Sequence, residues 1–198
     1  VKINTVLMKG INDNQVLALV NWAILNKFEL RFIEFMPLDG DARWSKQHVV
    51  TEAEILVQLR QQFDVVVAQN SHSDPARRYF INGHPIGIIS TISNSFCGTC
   101  DRLRLTAKGD FFNCLFATDG QNLKNKIKAL NNAQSDHKFN LNVHSEIALE
   151  QELSAYIWSK KSGFHAIQSE SNQMTNQSEN SKQSNLSSRK ISMYMIGG

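Results

Sequence analysis

Residues 1–36 read VKINTVLMKGINDNQVLALVNWAILNKFELRFIEFM, and the pattern changes character twice within that span. Residues 1–8 are rich in β-branched side chains and lead into Gly10 and then Asn12, Asp13 and Asn14, which suit a turn and a helix N-cap. The spacing predicts a helix over 15–27, where Val16, Leu17, Leu19, Val20, Ala23, Ile24 and Leu25 form a broad apolar face for packing on a sheet. Residues 29–36 mix charged and apolar side chains in alternation, the mark of a second strand. Strand, helix and strand in so short a stretch predict a parallel βαβ unit.

Outward from this unit comes a loop with Pro37, Gly40 and Trp44, then a capping box of Thr51 and Glu54 that opens a helix reaching residue 62. A strand is expected over 64–68. Residues 78–81 and 86–92 flank Asn82-Gly83, the turn signal of an antiparallel hairpin. A second hairpin is expected, with arms 102–106 and 111–115 joined through 107–110. Helical periodicity returns over 121–130 and 145–161, the latter with Ile147, Leu149, Leu153, Tyr156 and Ile157 on one face. Residues 168–189 are almost all Ser, Asn, Gln, Glu and Lys, too polar to offset the entropy of ordering, so a disordered linker is expected. The linker ends in the apolar run 191–198, a segment expected to dock.

With 198 residues and 41% hydrophobic content the chain can bury one sizeable core or a core with a satellite domain. No stretch approaches the roughly 18 unbroken apolar residues of a bilayer span, and Val1-Lys2-Ile3-Asn4 lacks signal-peptide architecture. A soluble, cytoplasmic protein without a membrane partner is expected, and the strand-like start without Met reads as the interior of a longer fold. A formal charge of +3 does not call for nucleic acid, although it favours anionic small molecules.

Cys97, Cys100 and Cys114 make a C-x2-C-x13-C pattern, with small Gly98 and Thr99 between the first two. Three cysteines cannot all pair, and this spacing is typical of metal ligation in a reducing compartment. A zinc site needs a fourth ligand, with His84 and His137 as the nearby candidates, whereas an iron–sulfur cluster can leave one iron open. Neither histidine has a ligand spacing, and His48, His72, His144 and His165 read as surface or turn residues. Arg102 and Arg104 alternate directly after the second cysteine. On one strand face they form either a solvated basic edge or a forked clamp for phosphate.

The segments FCGTCDRLRLTAKGDFFNCLFA (96–117), VKINTVLMKGIND (1–13) and RFIEFMPLDG (31–40) resemble the GTP 3′,8-cyclase family of radical S-adenosylmethionine enzymes. The terminal Gly197-Gly198 fits too, since the family's tail reaches its active site; a ubiquitin-like Gly-Gly end is disfavoured because no β-grasp pattern accompanies it. The resemblance covers 1–117, resumes at the tail, and is weak between.

It implies an α/β fold: 1–68 as the C-terminal βα units of an incomplete TIM-type radical S-adenosylmethionine barrel, and 69–117 as an antiparallel β region carrying an iron–sulfur cluster and binding GTP. Capping helices (118–165), the disordered linker (166–190) and the docking tail (191–198) would follow. It implies a [4Fe-4S] cluster on Cys97, Cys100 and Cys114 with an open iron for GTP, contacts to GTP from Lys2, Arg102 and Arg104, and an S-adenosylmethionine site with Met36 and Arg31. No catalytic residue is nominated.

The implied activity is a lyase reaction giving 3′,8-cyclo-7,8-dihydro-GTP in molybdenum cofactor biosynthesis, with cyclic pyranopterin monophosphate synthase acting next and the full-length protein a homodimer. The radical-generating N-terminal cluster, on a C-x3-C-x2-C loop, is not among these residues, so this chain alone is expected to be inactive. The competing functions are an electron-transfer module and a zinc-stapled interaction protein.

Overall fold

The structure, a computed structural model, describes residues 1–38, 44–69, 74–97, 100–117, 119–134 and 139–160, with backbone alone at 131–134 and 139–145. It divides into two compact units, the first built from Val1–Pro37 and Asp41–Asp101 and the second around Arg102–Ser162. The expected linker, the tail with Gly197 and Gly198, and Gly40, Gly98, Thr99, His72, His137 and His165 lie outside the described residues.

In the first unit, strand β1 (Lys2–Leu7) leads through a 3-10 turn (Asp13–Gln15) into helix α1 (Val16–Leu25) and strand β2 (Glu29–Glu34). Strands β1 and β2 pair in parallel with Lys2 opposite Glu29 and Leu7 opposite Glu34, so the βαβ expectation holds. The expected N-cap does not form. Asn12 instead receives the Met8 amide at 2.7 Å and donates to the Val6 carbonyl at 3.0 Å, which spends its side chain on the turn ahead of α1.

Helix α2 (Glu52–Arg60) opens on the anticipated capping box: the Glu54 amide donates to Thr51 Oγ1 at 3.3 Å, and the Thr51 amide donates to Glu54 Oε2 at 2.8 Å. Strands β3 (Val65–Val67), β4 (Arg77–Ile81) and β5 (His84–Ile89) follow. Asn82 and Gly83 both have positive φ, 48° and 80°, the twist that a two-residue hairpin turn between β4 and β5 requires.

Sequence pattern groups this hairpin with the cysteine-bearing region. In the structure it joins the first sheet, whose order is β1-β2-β5-β4-β3, with β5 parallel to β2 and β4 antiparallel to both β5 and β3. Pro85 is tolerated in this central strand because pairing with β2 begins one residue later, at Ile86 opposite Leu30. One face of the sheet carries Leu30, Phe32, Tyr79, Ile81, Ile86 and Ile88, all buried in a core with residues of α1 and α2.

The second unit holds strands β6 (Arg104–Leu105), β7 (Asp110–Phe112) and β8 (Gln121–Asn122) in an antiparallel sheet, then helices α3 (Leu123–Gln134) and α4 (Phe139–Trp158). The second hairpin is therefore present with shorter arms than expected: Arg102 precedes the ladder, and the chain leaves β7 before Cys114 for a turn in which the Ala117 amide reaches the Cys114 carbonyl. Gly109, at φ 88°, is required at the hairpin turn, since a Cβ there would stand 2.4 Å from Lys124 Cβ. Among the described residues no helix is long and apolar enough to cross a membrane.

Candidate functional site

Period-two alternation sends Lys2 and Arg31 to the sheet face opposite the core, because their neighbours Ile3, Leu30 and Phe32 pack inward. There both meet Glu29. Its Oε1 accepts from Arg31 Nε at 2.9 Å and lies 4.0 Å from Lys2 Nζ. The Arg31 side chain is only 15% exposed, and Gly87 on β5 makes room for it, since a Cβ on Gly87 would come within 3.1 Å of Arg31 Cγ. Lys2 and Arg31 are thus brought together by a carboxylate that the sequence reading does not single out. Met36 lies just past the end of β2, half-buried.

The segment that runs from β5 to the first two cysteines is hung on two buried carboxylates. Glu34, the last residue of β2, is fully buried and accepts from the amides of Ile92 and Ser93, each at 2.8 Å, and from the Ser93 hydroxyl. Glu52, the first residue of α2, accepts from Tyr79 Oη at 2.6 Å, Ser90 Oγ at 2.9 Å, Arg77 Nη1 at 3.1 Å and Asn94 Nδ2 at 3.3 Å. The two are joined, for the Glu52 amide donates to Glu34 Oε1 at 3.2 Å. Burial first, then the hydrogen bond to and charge of Glu52, hold the Tyr79 phenol well above its ordinary range, with Arg77 and Arg60 acting in the opposite sense.

Beyond this anchor the Cys97 amide donates to Ser95 Oγ and the Cys100 amide to the Cys97 carbonyl, both at 3.3 Å. His84, weighed above as a metal ligand, has its Nε2 2.7 Å from the Phe28 carbonyl.

In the second unit Cys114 leaves β7 beside Asn113, which is buried. Asn113 Nδ2 donates to the Tyr156 carbonyl at 2.7 Å, and the Tyr156 hydroxyl donates to the Asp119 carbonyl at 2.8 Å. Burial above all, with the charges of Asp119 and Cys114, raises the Tyr156 phenol above its ordinary range. The Phe116 amide donates to Cys114 Sγ at 3.5 Å, the kind of contact that steadies a sulfur carrying negative charge. Arg102 is exposed and its carbonyl accepts from Lys160 Nζ at 3.1 Å; Arg104 sits on β6 opposite Phe112 and is half-buried.

Cys97 and Cys100 thus belong to the first unit and Cys114, Arg102 and Arg104 to the second. All three cysteines are half-buried and outside any disulfide. Within the described residues no group of three His, Cys, Asp or Glu side chains is gathered as a metal site. Each cysteine taken by itself carries a half-buried thiol, a donor type that suits an iron–sulfur cluster, and Cys114 has an amide donor on its sulfur. Glu34, like Glu29 and Glu52, has a role that the sequence reading misses, although for Glu34 the signal is present. Two residues on from Phe32 and four from Leu30, it is a charge at an inward position of an alternating strand.

Residues 28–166 match the protein family described as Molybdenum Cofactor Synthesis C. A GTP 3′,8-cyclase of Streptomyces coelicolor is 41% identical over 133 residues, which are 65% of this chain and 39% of that protein. A GTP 3′,8-cyclase of Staphylococcus aureus strain JH9 is 39% identical over 133 residues, with the same shares of the two chains. The match to these curated relatives therefore spans 39% of their length.

Proposed function

The chain belongs to the Molybdenum Cofactor Synthesis C family, and from that premise we propose that it is the C-terminal, substrate-binding part of a GTP 3′,8-cyclase. The whole enzyme is a radical S-adenosylmethionine lyase that converts GTP to 3′,8-cyclo-7,8-dihydro-GTP, and cyclic pyranopterin monophosphate synthase acts next. One observation carries the reading: the segment matching the family contains Cys97, Cys100 and Cys114 together with Arg102 and Arg104. The five-stranded sheet is read as part of the incomplete barrel, radical generation is assigned to residues outside this sequence, and the full-length protein is taken to be a homodimer. This chain alone binds GTP without turning it over.

A [4Fe-4S] cluster held by three thiolates leaves one iron open to the guanine of GTP. Cys97, Cys100 and Cys114 supply those thiolates, and the Phe116 amide offsets charge on the third. Arg102 and Arg104 present forked donors to the triphosphate, a geometry that a lysine cannot offer. Lys2 adds a point charge for the phosphates from the face of the first sheet opposite its core. Arg31 and Met36 are assigned to S-adenosylmethionine, with Glu29 fixing the Arg31 guanidinium.

The test is iron, sulfide and zinc content with an electron paramagnetic resonance spectrum on the anaerobically reconstituted chain, with and without GTP. About four irons per chain and a spectrum that shifts with GTP are expected for a three-cysteine cluster with an open iron. Stoichiometric zinc and no response to GTP overturn the reading.

A further inference from the structure

We propose that Glu34 and Glu52 are positioning residues that hold residues 90–94, and through them Cys97 and Cys100, in the conformation that receives the cluster; the inference rests on the cluster reading above. A carboxylate inside an apolar core is costly unless its oxygens are well satisfied, and an apolar residue of similar volume is often as stable or more so. Glu34 stands in line with Leu30 and Phe32, where another apolar side chain would complete the core. Its acceptors are spent instead on residue 52 and on the loop, at the Ile92 amide, the Ser93 amide and the Ser93 hydroxyl.

Glu52 adds the Ser90 hydroxyl and the Asn94 amide group at the two ends of the same five residues. Ser93 is four residues from Cys97, and the chain between them is closed by the Ser95 and Cys97 contacts already described. A loop fixed at five points by two linked carboxylates has little freedom left. That rigidity is what a preorganised ligand pair needs.

The test compares the wild-type chain with Glu34→Gln, Glu52→Gln and Ser93→Ala. Glutamine keeps the shape but turns an amide group towards amide donors, while Ser93→Ala removes one hydroxyl that reaches Glu34 from a residue outside the apolar core. Two readouts are taken: iron retained under a chelator after anaerobic reconstitution, and the rate at which a thiol reagent modifies each cysteine in the metal-free chain. Circular dichroism confirms folding.

Losses of roughly tenfold in cluster retention are expected for Glu34→Gln, the scale at which residues behind metal ligands act. A smaller loss is expected for Ser93→Ala. Modification of Cys97 and Cys100 should quicken in both variants while Cys114, in the other unit, keeps its wild-type rate. Wild-type retention and wild-type rates at Cys97 and Cys100 in folded Ser93→Ala and Glu52→Gln overturn the inference, even where Glu34→Gln does not fold. A wild-type chain that takes up no iron overturns the cluster reading itself, and the positioning role with it.

Discussion

Asn113 donates its side-chain amide to the carbonyl of Tyr156 at 2.7 Å, so the residue before the third cysteine is tied to the last turns of α4. Asn113 is buried, and Ser159 Oγ stands a further 3.5 Å from the same nitrogen. Replacing Asn113 with Ala should cost about 1 kcal/mol, the net contribution of a typical hydrogen bond, because the Tyr156 carbonyl keeps the Ser159 hydroxyl as a donor. Urea denaturation measures the loss. A change under a few tenths of a kcal/mol would mean that Cys114 is held by other contacts.

The arginines after Cys100 are tested as a pair. Arg102→Ala with Arg104→Ala should weaken GTP binding by at least about tenfold, since each hydrogen bond to a charged group contributes roughly 1.5–3 kcal/mol. Iron content should stay at the wild-type level. Titration calorimetry with GTP reads the affinity, and an unchanged value removes both residues from the phosphate clamp.

The capping box on α2 predicts a local stability effect. Thr51→Ala removes the acceptor for the Glu54 amide and should cost about 1 kcal/mol. Thr51→Ser, which keeps the oxygen, should recover most of it. Thermal melts of the two variants side by side decide the point.

Tyr79 gives the chain an alkaline limit. Its folded-state pKa lies above the ordinary 10.0 of the phenol, with burial as the first cause and Glu52 as the second. A raised pKa favours the protonated phenol in the fold. Its contribution is therefore complete below pH 10 and is lost as pH rises beyond that value. Stability measured against pH should fall above pH 10 in the wild type and less steeply in Tyr79→Phe. Parallel curves would contradict the assignment.

Much of this architecture is legible locally. The apolar face of α1, the Thr51 and Glu54 box and the Asn82-Gly83 turn each specify their element locally, and the structure carries all three, except that Leu25 at the end of α1 turns to solvent instead of joining that face. Where the hairpin docks is not written locally, because the pairing of β5 with β2 depends on two apolar strands some fifty residues apart finding each other. The cysteines and arginines stand out by spacing and residue type. Glu34 is marked only by its inward place in the alternation of β2, and Glu52 not at all, since a carboxylate in the first turn of a helix is ordinary on a surface. Only the packing that buries them turns them into anchors.

The order β1-β2-β5-β4-β3 also bears on how the chain assembles. Strands β4 and β5 meet across a two-residue turn, a closure that takes on the order of microseconds. Strand β5 must then find β2 across a far longer loop, which is slower for entropic reasons. The ribbon from β4 to β5 therefore forms early, and its capture by β2 is the step that commits the sheet. Substitutions at Asn82 or Gly83 should slow refolding, whereas changes along Leu30 and Phe32 should act on that capture step.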